Sequence, residues 1–522
     1  DSDGTIALVV ADAGVTSDAQ NNTVAGSSAG DSFSGTDANG NSLFGKNAGT
    51  AITTGDTNIV FGYNAGDALT TGSSNIAIGS HALTTSDDDS RNVAIGHTAL
   101  EVCNGAADNT AVGFNAGNAI TTGAGNTALG SYALDANTTA AQNTAIGKQS
   151  LTSNTTGSQN TGIGQAALYN NTTANNNTAV GKSSLLSNTT GAANTALGTQ
   201  ALEANTTAGY ITAVGNSALR ANTTGGYNTA VGSESLRLNT TGNNNTAVGL
   251  NSLFANTTGF KNTAIGGYAL DACTTAQYNT AVGYAALGAT TTGTNNTAVG
   301  GQAMVDNTTG NYNTAVGDIS LAYNTEGIKN TSIGRASMYA NTTGDDNVAV
   351  GVDALKANTT ADKNTAIGKG ALEVNTTGHN NTSIGCGSLD ASTTGHSLVA
   401  VGSSALGSNT TGVENIAVGR NALAANTTGY ENVAIGMNAL ATNTTANHNT
   451  AVGDETLGLC ATGTDNVAIG DKALKWATGD DNTAVGAKAL DAQTTASHNT
   501  AVGYSSLGSN TTGANNTAVG RT

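Results

Sequence analysis

Asn245-Thr246-Ala247-Val248-Gly249-Leu250-Asn251-Ser252-Leu253-Phe254-Ala255-Asn256-Thr257-Thr258-Gly259-Phe260-Lys261 is one full copy of a phrase that recurs along nearly the whole chain. Its turn glycine, Gly249, has counterparts at Gly62, Gly79, Gly96 and onward to Gly470, a span of 408 residues holding 24 intervals of 17 without a slip. Gly486 comes one residue early, after which Gly503 and Gly520 restore the spacing. With Gly45 one period before Gly62 there are 29 regular units, and Gly26 belongs to a looser copy. Self-similarity at a fixed short period is the mark of a stacked repeat architecture.

The slots of one unit are numbered here from 1 to 17, starting at the asparagine. Slot 2 is Thr, Val or Ile, slot 3 Ala, slot 4 Val or Ile, and slot 5 Gly; slot 8 is Ala or Ser and slot 9 Leu; slots 12 to 15 read Asn-Thr-Thr-Gly or Asn-Thr-Thr-Ala. Slots 2 and 4 are β-branched and two apart, the period of a strand with one face buried. The small residue at slot 3 suits a face lying close against something else. The glycines of slots 5 and 15 sit where the chain turns, because Gly reaches backbone angles other residues resist. The expectation is an all-β parallel β-solenoid of 17-residue coils, each with two short strands and two turns. Each coil would bury one Leu, one or two β-branched residues and Ala. No helical 3.6-residue periodicity competes.

A volume swap places slot 12. Three units carry Gly at slot 9 and a large aliphatic at slot 12: Gly49 with Ile52, Gly66 with Leu69, and Gly117 with Ile120. Packed interiors hold their volume nearly fixed, so both slots point into one core. The usual slot-12 asparagines, such as Asn137, Asn154, Asn188, Asn256 and Asn341, then face inward. A buried amide needs partners, and stacked coils supply them as a side-chain ladder along the axis. Cys103, Cys273 and Cys460 replace that Asn, while Cys386 follows a turn glycine. Coils about 4.8 Å apart keep even the nearest pair, Cys386 and Cys460, roughly 19 Å apart, so no intrachain disulfide is expected. Twenty-nine coils at that spacing would make a rod of roughly 140 Å, stabilised by summation over neighbours.

Composition supports a repetitive structural protein over an enzyme. Of 522 residues, 10% are charged and 4% aromatic, Pro is absent and Gly numbers 70, where ordinary domains carry about 25% charged residues. A net charge of −18 disfavours nucleic acid, which requires clustered Lys and Arg. No 18-residue apolar run is present, so no membrane insertion is expected. The absence of a basic, apolar leader before Asp1 implies a signal already removed or another export route.

The phrase and its variants, Asn92-Val93-Ala94-Ile95-Gly96, Asn432-Val433-Ala434-Ile435-Gly436 and Asn75-Ile76-Ala77-Ile78-Gly79, resemble the head repeat of trimeric autotransporter adhesins. Similar repeats occur in tailed-phage fibre proteins and in surface proteins carrying a fibre chaperone domain. The resemblance covers about residues 40–522. It implies a left-handed β-roll, three chains packed around a common axis, with the slot-3 Ala as a close-approach surface between chains; a flat face packed inside one chain accounts for that Ala as well. The 17-residue period is longer than in the usual adhesin head, and no heptad stalk, membrane-anchor strand or chaperone domain is seen, so those devices are not carried over.

The ends suggest a joint. Residues 41–522 read as continuous solenoid, while residues 1–40 read as an N-terminal cap or a subunit-joining segment. The stretch 5–15, with Ile6, Leu8, Val9 and Val10, is the most apolar of the chain, and the chain stops after Val519 and Gly520, partway through a coil. An uncovered terminal coil exposes strand edges, so 5–15 is a candidate to cap the first coil or to join subunits end to end by strand addition.

No catalytic, cofactor or metal site is expected. The six His (81, 97, 379, 396, 448, 498) lack partners at zinc spacing. The acidic turns at Asp87-Asp88-Asp89, Asp345-Asp346 and Asp480-Asp481 lack the calcium-roll motif. The Asn-Thr-Thr sequons at Asn137, Asn188, Asn256, Asn341 and Asn510 fall on the slot-12 Asn assigned to the core. The expected function is an extracellular, cell-surface or virion fibre subunit whose partner is itself, as homopolymer or homotrimer. The alternative is an adhesin or receptor-binding fibre recognising a cell-surface receptor or glycan, with Tyr210, Tyr227, Tyr278, Tyr312 and Tyr430 as contact points. A minor alternative is ice binding by the threonines, although adjacent Thr at slots 13 and 14 point to opposite faces of a strand.

Overall fold

The computed structural model describes residues 16–33 and 37–522, in two units, residues 1–260 and 261–522. Both are all-β parallel solenoids with coils 17 residues apart. In the first unit a two-residue strand β1 (Thr16–Ser17) runs antiparallel to β2 (Thr23–Ala25), which it meets at Val24 and Thr23. From β2 the chain stacks parallel strands of three residues, through β3 (Ser42–Phe44) and β4 (Ile59–Phe61) to β15 (Thr246–Val248). In the second unit the same element recurs from β16 (Thr263–Ile265) to β31 (Thr517–Val519). Each strand pairs in register with its counterpart one coil on, Thr178 with Thr195 and Val180 with Leu197 for example. The short coil shifts this to 16, pairing Val467 with Thr483. The candidate joint residues Ile6, Leu8, Val9 and Val10 lie outside the described residues.

Each coil contains one strand, where the sequence suggested two. The reason lies in backbone angles. Slots 7, 9 and 17 hold left-handed residues, such as Ser217 (φ 54°), Leu219 (φ 50°) and Tyr227 (φ 58°). Such angles interrupt an extended run, so the segment carrying Leu is a series of turns. It is still hydrogen-bonded from coil to coil: Leu134 N–H donates to Ser150 O at 3.0 Å, and Gln149 N–H to Ser131 O at 3.0 Å. Slot 9 holds only Leu, Met or Gly in the regular units; the left-handed region penalises a β-branched residue, although slot 7 carries Ile319 at φ 48° and Thr98 at φ 54°.

The strand also faces the opposite way from the expectation. The slot-3 alanines, among them Ala179, Ala196 and Ala213, are fully buried. The larger residues of slots 2 and 4 point outward, with Ile59 and Phe61 both 40% exposed and Leu197 46%. Beside a slot-9 Leu or Met the interior admits only Gly, Ala or Ser at slot 3. At Gly162 an added Cβ would meet Ser150 Oγ at 2.6 Å and Leu151 Cδ1 at 3.4 Å. The core is therefore Ala of slot 3, Ala or Ser of slot 8, Leu of slot 9 and the occupant of slot 12. Slot 3 holds Leu43 and Val60 only where slot 9 is emptied, at Gly49 and Gly66. A Cβ on Gly49 would lie 2.8 Å from Ile52 Cδ1 and 3.0 Å from Leu43 Cδ2.

The slot-5 glycines are demanded by both angle and space. Gly62, Gly79, Gly96, Gly249 and Gly520 have φ of 143°, 133°, 138°, 135° and 140°. A Cβ on Gly181 (φ 132°) would meet the Gly198 carbonyl oxygen of the next coil at 2.5 Å.

Candidate functional site

Two columns of asparagine run along the interior. In the slot-12 column, Asn154 Nδ2 donates to Asn137 Oδ1 at 3.0 Å, Asn188 to Asn171 at 2.9 Å, Asn256 to Asn239 at 2.7 Å and Asn341 to Asn324 at 2.8 Å. All five asparagines singled out from the sequence (137, 154, 188, 256 and 341) are fully buried. In the slot-1 column each side-chain oxygen instead accepts the backbone N–H of the next asparagine, as Asn160 N–H donates to Asn143 Oδ1 at 2.9 Å. The columns meet at the slot-15 carbonyl. Gly191 O accepts from Asn177 Nδ2 at 3.0 Å and from Asn188 Nδ2 at 2.9 Å. Where the columns are continuous an amide thus bonds both its ladder neighbour and the turn, which satisfies polar atoms that would otherwise cost about 1–3 kcal/mol apiece.

The slot-1 column was not singled out from the sequence, because an Asn just before a strand reads as a turn residue. Its signal was near-invariance within the repeat. The exceptions, Ile211 and Leu398, still donate their backbone N–H to Asn194 and Asn381 at 3.1 and 3.0 Å.

The outward strand face is the second built feature. In the first unit slot 2 is threonine in nine successive strands from Thr110 to Thr246. Slot 4 runs beside it as Val112, Leu129, Ile146 and onward to Val248. In the second unit the slot-4 row includes Ile265, Ile333, Ile367, Ile435 and Ile469, each 38–41% exposed. Val519, in β31, is 78% exposed. The result on each unit is a regular, uncharged, half-exposed strip of aliphatic side chains and threonines.

Turn residues stack in columns of their own. Tyr210 and Tyr227 are stacked at 5.3 Å and are 65% and 63% exposed; Tyr278, Tyr312 and Tyr430 are also exposed. Tyr63, His81, His97, Phe114 and Tyr132 form a run of successive ring contacts at 5.3–6.2 Å. Arg91 Nε meets Asp108 Oδ1 at 2.6 Å and holds that carboxyl below its usual range. The Thr of slot 13 spend their hydroxyls on the next coil, as Thr138 does on Thr155 O at 3.3 Å.

Cys103, Cys273 and Cys460 are buried and Cys386 is exposed. Burial pushes the buried thiols up, to about 12 at Cys273 and about 11 at Cys460. Among the described residues no group of three or more His, Cys, Asp or Glu is placed to hold a metal ion. No helix there is long and apolar enough to cross a membrane. No protein-family model matches the chain, and no curated protein matches it.

Proposed function

We propose that this chain is a non-enzymatic structural subunit that associates with further copies of itself to build an extracellular fibre. The observation that carries the reading is the outward strand face. A strand three residues wide with rungs about 4.8 Å apart offers roughly 50 Å² per coil, so the strands β2 to β15 together present on the order of 700 Å². A standard protein interface takes about 800 Å² from each partner. From Ile76 to Val248 slots 2 and 4 hold only β-branched residues and Leu, and β-branched side chains at fixed spacing lose little rotamer freedom on packing. The likeness of the Asn-Thr-Ala-Val-Gly phrase to adhesin-head and phage-fibre repeats agrees with this role, with slots 2 and 4 in place of the slot-3 Ala as the contact surface between chains.

A second reading, a recognition fibre, draws on the run of rings from Tyr63 to Tyr132. Sedimentation separates the two. The structural reading expects wild-type protein to sediment as an oligomer or polymer. A triple substitution on the strand face, Val180→Lys, Leu197→Lys and Val214→Lys, should shift it toward a single-chain mass with its circular dichroism retained. A monodisperse single chain for the wild type would remove the assembly reading and leave recognition.

A further inference from the structure

The repeat breaks its own rules at one place in the second unit. The coil from Gly470 to Gly486 is a residue short and carries Ala477 where most coils have the ladder asparagine. The residue before it, Trp476, is the only Trp of the chain and is 52% exposed. Departures from an otherwise consistent pattern are where function or strain is expected. Slot 10 of the two preceding coils is Ala441 and Gly458, so the floor beside the indole has almost no side chain. Leu459, 38% exposed, stands next to Trp476. Across the trough lie Asn438 and Glu455, and together these residues with Lys475 and Thr442 enclose a cavity of about 280 Å³.

The polar groups are held in place. Glu455 Oε2 accepts from Lys475 Nζ at 2.5 Å, an ion pair that holds the carboxyl below its usual range. The same ammonium sits 5.6 Å from the centre of the Trp476 ring. Asn438 Oδ1 accepts from Asn421 Nδ2 at 3.2 Å, which orients the Asn438 amide. An indole, a fixed carboxylate acceptor and an oriented amide around a ring-sized hollow match the chemistry of a pyranose. The C–H face of the sugar packs on the aromatic ring while adjacent hydroxyls donate to carboxylate and accept from amide. The net charge of −18 repels acidic saccharides.

We propose that this trough binds one ring of a neutral hexopyranose, stacked on Trp476 and hydrogen-bonded through Glu455 and Asn438. The proposal is independent of the assembly reading, since the trough lies on the turns and the strip lies on the strands. The single Trp gives a site-specific readout. The intact chain is titrated, by Trp fluorescence, with glucose, galactose, mannose and N-acetylglucosamine and with their disaccharides at millimolar concentration. The expected result is a saturable change for at least one of them, weakened about tenfold or more by Glu455→Gln, which removes a bond to a charged acceptor. Ala441→Leu should abolish the response by filling the floor, and the fold accepts it because slot 10 already holds Leu186 and Phe254. No saturable change with any of these sugars overturns the proposal. So does a change that Glu455→Gln and Ala441→Leu leave untouched.

Discussion

A leucine at φ 50° is the repeat's least ordinary residue, and Leu219 is one of more than twenty such positions. Left-handed backbone costs an L-residue roughly 1–2 kcal/mol, and more if it is β-branched. Leu219→Ile keeps the volume, so packing alone predicts a cost under about 1.5 kcal/mol. The backbone angle predicts a loss well beyond that, about 3 kcal/mol, with Leu219→Met near neutral because Met304 and Met338 occupy the same slot at φ 51° and 46°. Urea denaturation of both variants measures the difference; equal stabilities would mean the angle imposes nothing. The ladder asparagines make a second residue-scale case. At two places where the next coil lacks Asn the column ends on orphan atoms: Asn375 Oδ1 and Ser392 Oγ have no partner, nor has Asn443 Oδ1 below Cys460. Ser392→Asn should therefore raise stability by about 1 kcal/mol or more, by giving Asn375 and Asn409 a neighbour. The volume swap at Gly49, Gly66 and Gly117 is enough by itself to place slot 12 in the core. The left-handed angle at slot 9 was written only as an absence, of Val, Ile and Thr, and an absence is easily passed over.

At the scale of one coil, the exchange between slots 9 and 12 is a packing unit that has to change as a pair. A Cβ on Gly117 would lie 2.9 Å from Ile120 Cδ1 and 3.2 Å from Leu100 Cδ2. Gly117→Leu alone should destabilise by about 1–3 kcal/mol through overpacking. Adding Ile120→Asn should recover most of the loss, giving a coupling energy on the order of 1 kcal/mol or more in a double-mutant cycle. Purely additive effects would show that the two slots do not share space. The buried cysteines of slot 12 give a pH signature. Burial holds Cys273 at about 12 against an ordinary value of 9.0. Stability is thus full below pH 9.0 and falls as the pH rises from there toward about 12, by up to about 1.4 kcal/mol per pH unit for that thiol. Cys273→Ala should flatten the decline. On native protein at neutral pH, iodoacetamide should label Cys386 alone. The strand's facing was misread for an elementary reason. Alternation of Thr, Ala and Val in slots 2 to 4 shows that two faces differ, and hydrophobicity suggests the larger ones are inside. Where slot 9 holds Leu or Met the interior is in fact closed by backbone and by the slot-8 side chain, as the contacts around Gly162 show, so only a small residue fits.

For the whole molecule, stability is collective. No coil holds a core of its own, and each contributes a leucine, a few methyls and two amides to columns that extend through its unit, so cooperative neighbours do what a globular core does elsewhere. The period was legible in the sequence to the residue, including the single slip between Gly470 and Gly486. The Trp476 trough was not, because its floor is made by side chains too small to attract notice. Copies of this chain are proposed to associate into a fibre through the outward faces of their strands. Electron microscopy of the purified protein tests that most directly. Filaments or bundles longer than one chain are expected, and the strand-face lysine substitutions should disperse them to single chains while the coil spacing of about 4.8 Å within each chain persists. Separate single-chain particles that stay apart at high protein concentration, and that the same substitutions leave unchanged, would contradict it.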